Sequence, residues 1–141
     1  MKTTATQPHD LELFCRIDGA EYSVTADRKT ERHDDRPPYY WVEVRVYQPD
    51  LNWWKSVVSE SAEDVRDGDL MDAIRWAFKR VRRRQNEWVR SYAQHRYSAT
   101  QEQGGKRGYY TKWANKAREQ ALTYAPKWKL CKQIWKEITK L

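Results

Sequence analysis

The sequence predicts an α+β fold, in which a four-stranded antiparallel β-meander is followed by two or three α-helices, the first long and amphipathic. Three observations lead to this prediction. Apolar residues alternate as in strands between Leu11 and Ser59, a helical period begins at Leu70, and aromatic residues make up 13% of the chain. Disordered segments contain few aromatic residues. We therefore expect the 141 residues to fold around a modest core that is largely aromatic.

The first two strands are predicted to meet at a tight turn, Asp18-Gly19. This dipeptide favours a type I′ hairpin, because both turn positions need a positive φ. A two-residue turn pairs Ile17 with Ala20, Cys15 with Tyr22, Leu13 with Val24 and Leu11 with Ala26. All eight side chains then share one face, so the turn chemistry and the hydrophobic pattern predict the same register.

Two further strands complete the predicted sheet. Tyr39–Tyr47 alternates and places Tyr40, Val42, Val44 and Val46 on the core face, and Trp53–Ser59 forms the fourth strand. The polar segment Asp27–Pro38, which ends in two prolines, is predicted to be a loop. Trp41 and Trp53 are expected on the outer face of the sheet.

The helical part is predicted from Leu70 onwards. Asp67 or Asp69 would cap the first helix, and one stripe of this helix collects the apolar residues Leu70, Ile74, Ala77, Val81, Trp88 and Tyr92. A second helix is expected over Thr111–Ala125, with Trp113, Ala117, Ala121 and Tyr124 facing inwards. Pro126 is expected to end this helix and to begin a third.

These elements suggest a division of the chain into four parts. Residues 1–10 form a flexible tail, 11–97 the sheet with the first helix, 98–110 a linker around several glycines, and 111–141 a C-terminal helical segment. Cys15 and Cys131 are expected to be buried free thiols, with a disulfide as the alternative, since nothing else in the sequence indicates an oxidising compartment. The sequence shows no signal peptide and no stretch that could span a bilayer, so we expect a cytoplasmic protein without membrane contact.

Charge is distributed unevenly along the chain. Residues 1–70 carry 9 Lys and Arg against 15 Asp and Glu, a net charge of −6, whereas residues 71–141 carry 18 against 5, a net charge of +13. Such a field attracts partners of opposite sign. The basic half predicts DNA or RNA as the partner.

The cations of the predicted first helix form the strongest candidate binding site in the chain. Helical spacing places Arg75, Lys79, Arg82, Arg83 and Arg90 on the side opposite the apolar stripe, where they could contact several backbone phosphates. Trp76 flanks this row and could stack on a base. Lys106 and Arg107, among the glycines of the linker, could follow a phosphate backbone. A helix face that only contacts solvent, or a basic linker without a binding role, would show the same arrangement of cations. The acidic first half of the chain could also dock on this helix.

A protein-interaction module is the alternative function. The acidic and basic halves of the chain could dock on a protein partner, as an inhibitor or assembly factor does. They could also dock on a second copy of the chain to form a homodimer. The lysines at 129, 132, 136 and 140 also form a stripe typical of partner-binding helices. Small charge-polarised proteins of this kind resemble phage or plasmid accessory factors.

Enzymatic activity is not expected, because no catalytic triad, cofactor motif or phosphate-binding loop is found. No cofactor and no metal are therefore predicted. The remote alternative is a metal-dependent nuclease using Asp34, Asp35, Glu43 or Asp50, with His33 beside the first two.

The segment Trp41–Arg80, a hairpin followed by a helix, loosely resembles the three-strand-plus-helix DNA-binding domains of integrases and related plant factors. In those domains the sheet enters the groove. The sheet region of this chain is net acidic, which disfavours the same binding mode here.

Overall fold

Four strands form one antiparallel sheet, in the order β1-β2-β3-β4, ahead of two long helices. The strands are β1 (Leu11–Ile17), β2 (Ala20–Lys29), β3 (Tyr39–Gln48) and β4 (Trp53–Ala62), and a 3₁₀ turn, Pro49–Leu51, joins β3 to β4. The helices are α1 (Leu70–Gln101) and α2 (Arg107–Ile138), each of 32 residues. This computed structural model describes residues 9–29, 39–63, 65, 68–102 and 104–140, and over these ranges it confirms the predicted α+β class.

The β1–β2 hairpin has the predicted register. Ile17 pairs with Ala20 and Leu11 with Ala26. Asp18 and Gly19 have φ values of 51° and 81°, as a type I′ turn requires. The turn residues and the hydrophobic pattern thus both determine where the strands pair. β2 extends to Lys29, into the expected polar loop, and the rest of that loop with Pro37 and Pro38 lies outside the described residues.

β4 runs to Ala62, beyond its predicted end at Ser59, and it contains a bulge. Val44 pairs with Val58, but the next residue, Arg45, pairs with Ser56, so Val57 is an extra residue in β4. Beyond the bulge, Glu60 pairs with Val42 on the core face and is buried. A strict alternation of side chains along the strand cannot anticipate this shift of register.

Trp53 lies on a different face from the one expected. It pairs with Gln48 and therefore shares the side of Val46, although its position at the strand end leaves it 58% exposed. The neighbouring Trp54 lies on the outer face, where it contacts Tyr47 and Phe14 with ring centroids 5.1 and 5.9 Å away. Trp41 is exposed on the outer face, as predicted.

Helix α1 begins at the predicted residue. The Asp72 N–H donates to Asp69 Oδ1 at 3.0 Å, which makes Asp69 the N-cap. Just before it, the Gly68 N–H donates to the hydroxyl of the buried Tyr40 at 2.6 Å and ties the entry of the helix to the sheet. The alternative cap, Asp67, lies outside the described residues.

The ends of the helices in the second half of the chain differ from the predicted ones. α1 continues to Gln101 and α2 begins at Arg107, so the linker predicted over residues 98–110 shrinks to 102–106. α2 also continues through Pro126 instead of ending there. A proline inside a helix removes the hydrogen bond to the carbonyl four residues back, here that of Leu122. Both residues are exposed, so solvent can take the place of the missing donor.

The chain divides into two compact units whose boundaries lie within the helices. Met1–Lys79 together with Leu130–Leu141 makes one unit, here called the sheet unit, and Arg80–Lys129 makes the other, the helical unit. This division differs from the expected one, which separated the second helix from the sheet. The reason is that the last turns of α2 bury apolar side chains in the sheet unit.

The core of the sheet unit combines one face of the sheet with residues from both helices. Its fully buried side chains include Val24, Val42, Val44, Ile74, Cys131 and Ile134. Cys131 is buried and Cys15 half-buried, and both are free thiols. Burial raises the pKa of Cys15, and the negative charge of Glu137 raises it further.

In the described part of the chain, no helix has an 18-residue stretch apolar enough to cross a membrane.

The end of the expected N-terminal tail is attached to the sheet. Residues 1–8 lie outside the described ranges, but the His9 ring is 2.7 Å from the Asp27 carboxylate, and the Asp10 N–H donates to that carboxylate at 3.0 Å. Burial alone would raise the pKa of Asp27. The hydrogen bonds from His9 and Asp10 and the charges of His9 and Lys29 outweigh it, and hold that pKa below its usual value.

Asp27→Asn should therefore cost stability in a pH-dependent way. A carboxylate with a lowered pKa stabilises the fold above the pKa of the unfolded chain, and the effect disappears as the pH falls through the folded value. Near pH 7 we expect a loss of about 1–2 kcal/mol, measured by urea unfolding, that shrinks below about pH 4. Asp50→Asn, at an exposed position, is the control and should change stability by less than about 0.5 kcal/mol. A deficit that persists at low pH would contradict this account of Asp27.

Candidate nucleic-acid interface

The cations predicted on α1 are exposed. Arg82, Arg83 and Arg90 lie in the helical unit, and helical spacing of about 100° per residue places them within one face together with Asn86. Arg75 and Lys79 are equally exposed on the α1 segment of the sheet unit. The opposite side of the helix buries Ile74, Ala77 and Val81, as the apolar stripe predicted.

The five cations differ in their partners, and Arg83 takes part in an interaction within the protein. Among the described residues of their own units, Arg75, Lys79, Arg82 and Arg90 form no ion pair with a carboxylate. The Arg82 guanidinium lies over the Trp128 ring, 5.6 Å from its centroid, which orients it while leaving it exposed. Exposed cation–π contacts contribute about 0.5–1 kcal/mol, too little to prevent a phosphate from binding the same arginine.

The remaining predicted residues lie in different surroundings. Trp76 is half-buried and takes part in a contact within the protein, so it is a weaker stacking candidate than its position suggested. Lys106 is exposed in the turn between the helices, and its carbonyl accepts the Tyr110 N–H at 3.1 Å. Arg107 is the first residue of α2, not a linker residue.

Arg107 shares a depression of about 250 Å³ with a second arginine that the sequence analysis did not single out, Arg96. Arg96 Nη1 donates to the Tyr92 hydroxyl at 2.5 Å and is thereby held at the wall. The buried methyl groups of Ala99 and Ala114 line the depression. Its other lining residues are polar: Thr100, Thr111 and Asn115. Two guanidinium groups beside hydroxyl and amide groups suit an anionic oxygen-rich group such as a phosphate.

A second feature of the helical unit is an exposed face of α2 made of Tyr109, Lys112, Trp113 and Lys116, here called the aromatic–lysine face. Tyr109 is 58% and Trp113 40% exposed, and their ring centroids lie 6.1 Å apart. Lys116 Nζ lies 5.1 Å from the Trp113 ring centroid. Trp113 was expected to pack inwards, and that expectation is wrong.

The alanines of α2 explain the error. Ala114 and Ala117 are buried, and small residues at these positions let the helix pack closely on its inner side. Ala117 belongs to the predicted stripe but Ala114 does not, so the inner side of α2 is rotated away from Trp113. The spacing i, i+3, i+4 and i+7 of Tyr109, Lys112, Trp113 and Lys116 was the signal that could have revealed a second face. Trp88, also expected inside, is half-buried.

Charge is concentrated in the helical unit. Residues 80–129 carry 13 Lys and Arg against 3 Asp and Glu, a net charge of +10, while the rest of the chain is net negative at −3. Its cations are distributed over both helices. The unit therefore presents a strongly positive surface interrupted by exposed aromatic rings.

Only part of the candidate metal site lies within the described residues. Asp34 and Asp35, with His33, lie outside the described residues. Glu43 pairs with Arg45 on the same strand, and Asp50 is exposed in the 3₁₀ turn. Within the described ranges, no group of three or more His, Cys, Asp or Glu side chains is placed to hold a metal ion.

Comparison of the chain with protein-family models, with curated proteins and with solved structures found no match. A fold alone does not determine a function, so the function is inferred from the chemistry of these surfaces.

Proposed function

We propose that this protein binds nucleic acid without enzymatic activity, using the arginine face of α1 against backbone phosphates. The observation that carries the proposal is the exposure of Arg82, Arg83 and Arg90 on one face of a unit with a net charge of +10. Arginine binds phosphate through two parallel hydrogen bonds. Several arginines held close together in water repel one another, which opposes folding weakly and favours a polyanionic partner.

Other groups extend this surface in the proposal. Arg75 and Lys79 contribute further phosphate contacts from the first turns of α1, and Trp76 contributes at most an edge contact. Lys106 adds a cation in the turn before α2, and Arg107 acts with Arg96 at the depression, where a phosphate would accept hydrogen bonds from both guanidinium groups. Such binding needs neither a cofactor nor a metal ion. We place the protein in the cytoplasm.

A binding titration tests the proposal. Fluorescein-labelled DNA and RNA oligonucleotides, each as single strand and duplex, are titrated with the protein at several salt concentrations. We expect binding at low salt that weakens steeply as salt rises, because each neutralised phosphate releases counterions. Undetectable binding at low salt, or an affinity that does not change with salt, would reject the proposal.

The second candidate function is a protein-interaction module, and the outer face of the sheet favours it. Phe14 is 49% exposed and contacts Trp54, which also contacts Tyr47, so three aromatic rings form a cluster there. Exposed aromatic clusters are typical of protein-binding hot spots. Sedimentation distinguishes the two: a monomer that binds nucleic acid supports the first function, whereas a homodimer indifferent to nucleic acid supports the second.

A further inference from the structure

The aromatic–lysine face of α2 has a chemistry that differs from the arginine face of α1. Residues 104–118 contain five Lys and Arg and no Asp or Glu, and two exposed aromatic rings lie among these cations. We infer that Tyr109 and Trp113 stack on unpaired bases, so that this protein binds single-stranded nucleic acid through α2. The inference rests on the proposed function and specifies its substrate.

The rings are exposed and yet held in place. Tyr109 contacts Tyr110 at 5.4 Å and 75° between ring planes, and Tyr110 is half-buried. Trp113 meets Tyr109 at 67°, so the pair presents ring faces in two directions. Rings fixed by their neighbours lose little freedom when a base stacks on them.

The helix that carries the rings is firmly formed from its first turn. The Thr111 hydroxyl donates to the Arg107 carbonyl at 2.9 Å, and the Tyr110 N–H donates to the Lys106 carbonyl. Burial of Ala114 and Ala117 determines which side of α2 faces inwards, and thereby keeps Trp113 outside. The exposure of these rings thus follows from the packing of the helix.

The spacing of the cations fits a backbone that runs past stacked bases. Lys112 and Lys116 each lie three residues beyond an exposed ring, on the same face of the helix. Lys116 lies over the Trp113 ring, but its side chain is exposed and flexible, so it can move to a phosphate when a base takes its place. Aromatic rings beside a positively charged track are the features by which proteins bind single strands regardless of sequence.

A duplex cannot use this surface in the same way. Its bases are paired and stacked on each other, so the rings of Tyr109 and Trp113 would meet only sugar and phosphate. The arginine face of α1, in contrast, needs phosphates alone and can bind both forms. The two surfaces therefore predict a preference for single strands that depends on α2.

The test compares the double variant Tyr109→Ala/Trp113→Ala with the wild-type protein. Affinities for a labelled oligothymidylate and for a labelled duplex of equal length are measured by fluorescence anisotropy. We expect the variant to lose about tenfold or more in affinity for the single strand and to bind the duplex within about twofold of the wild type. Trp53→Ala, which removes an exposed ring from the sheet unit, is the control and should change neither affinity.

Each other outcome has a defined meaning. If the wild type binds the duplex and the variant binds the single strand as the wild type does, the inference is wrong but the proposed function stands. If the wild type binds neither oligonucleotide, the proposed function fails, and the inference with it. If the variant instead dissociates a dimer seen by sedimentation and leaves single-strand affinity unchanged, the face binds a second copy of the chain and the inference is overturned.

Discussion

Replacing Arg82, Arg83 and Arg90 with glutamine is expected to weaken nucleic-acid binding on the order of 100-fold at about 0.1 M salt. The three side chains are exposed on one face of α1 within the helical unit. Loss of three phosphate contacts removes the release of the matching counterions, which supplies most of the affinity of such surfaces at low salt. The measurement is an anisotropy titration against a labelled duplex.

A control variant separates the arginine face from net charge. Lys132→Gln/Lys136→Gln/Lys140→Gln also lowers the net charge from +7 to +4, but it changes exposed cations at and just beyond the C-terminal end of α2, in the sheet unit. We expect it to weaken binding by less than about fivefold, since distant surface charges are screened. Equal losses in both variants would show that overall charge, not the arginine face, governs binding.

The second large effect concerns stability. Ile134→Ala is expected to destabilise the protein by about 2–5 kcal/mol, because it leaves a cavity at a fully buried position of the sheet unit. Ile134 belongs to the last turns of α2, far in sequence from the strands, so a large effect would show that this end of the helix is part of the core.

Urea unfolding measures this effect, with Leu122→Ala as the control. Leu122 lies in the same helix but is 62% exposed, and its truncation should change stability by less than about 0.5 kcal/mol. Similar stabilities for Ile134→Ala and the wild type would contradict the burial of Ile134. The deep burial of Cys131, one helical turn earlier, supports the expected result.

Features determined by neighbouring residues could be predicted from the sequence. The Asp18-Gly19 turn requires positive φ at both residues, and this local demand together with the alternation of Leu11–Ile17 was sufficient to predict the pairing. The start of α1 was predictable for the same reason, since a capping aspartate directly precedes the apolar stripe. The exposed arginines of α1 followed from that stripe.

Features that depend on packing could not be predicted. The bulge at Val57 changes which side chains of β4 face the core, and no residue type marks it. Trp113 is exposed because Ala114 and Ala117 occupy the inner side of α2, which depends on packing within the helical unit. α2 likewise continues through Pro126 because the helical turn that loses a hydrogen bond there is exposed to solvent. Of the residues predicted to face inwards on α2, Ala117 is buried and Ala121 and Tyr124 are half-buried, whereas Trp113 is exposed.

The most direct test of the central claim is the salt dependence of binding in the wild type and in the triple arginine variant. The logarithm of the association constant for a duplex is plotted against the logarithm of salt concentration. If Arg82, Arg83 and Arg90 each neutralise a phosphate, the slope of the variant should be shallower by about 2.7, since each contact contributes about 0.9. Parallel lines for the two proteins would contradict the account, because the arginine face would then make no contact with the phosphate backbone.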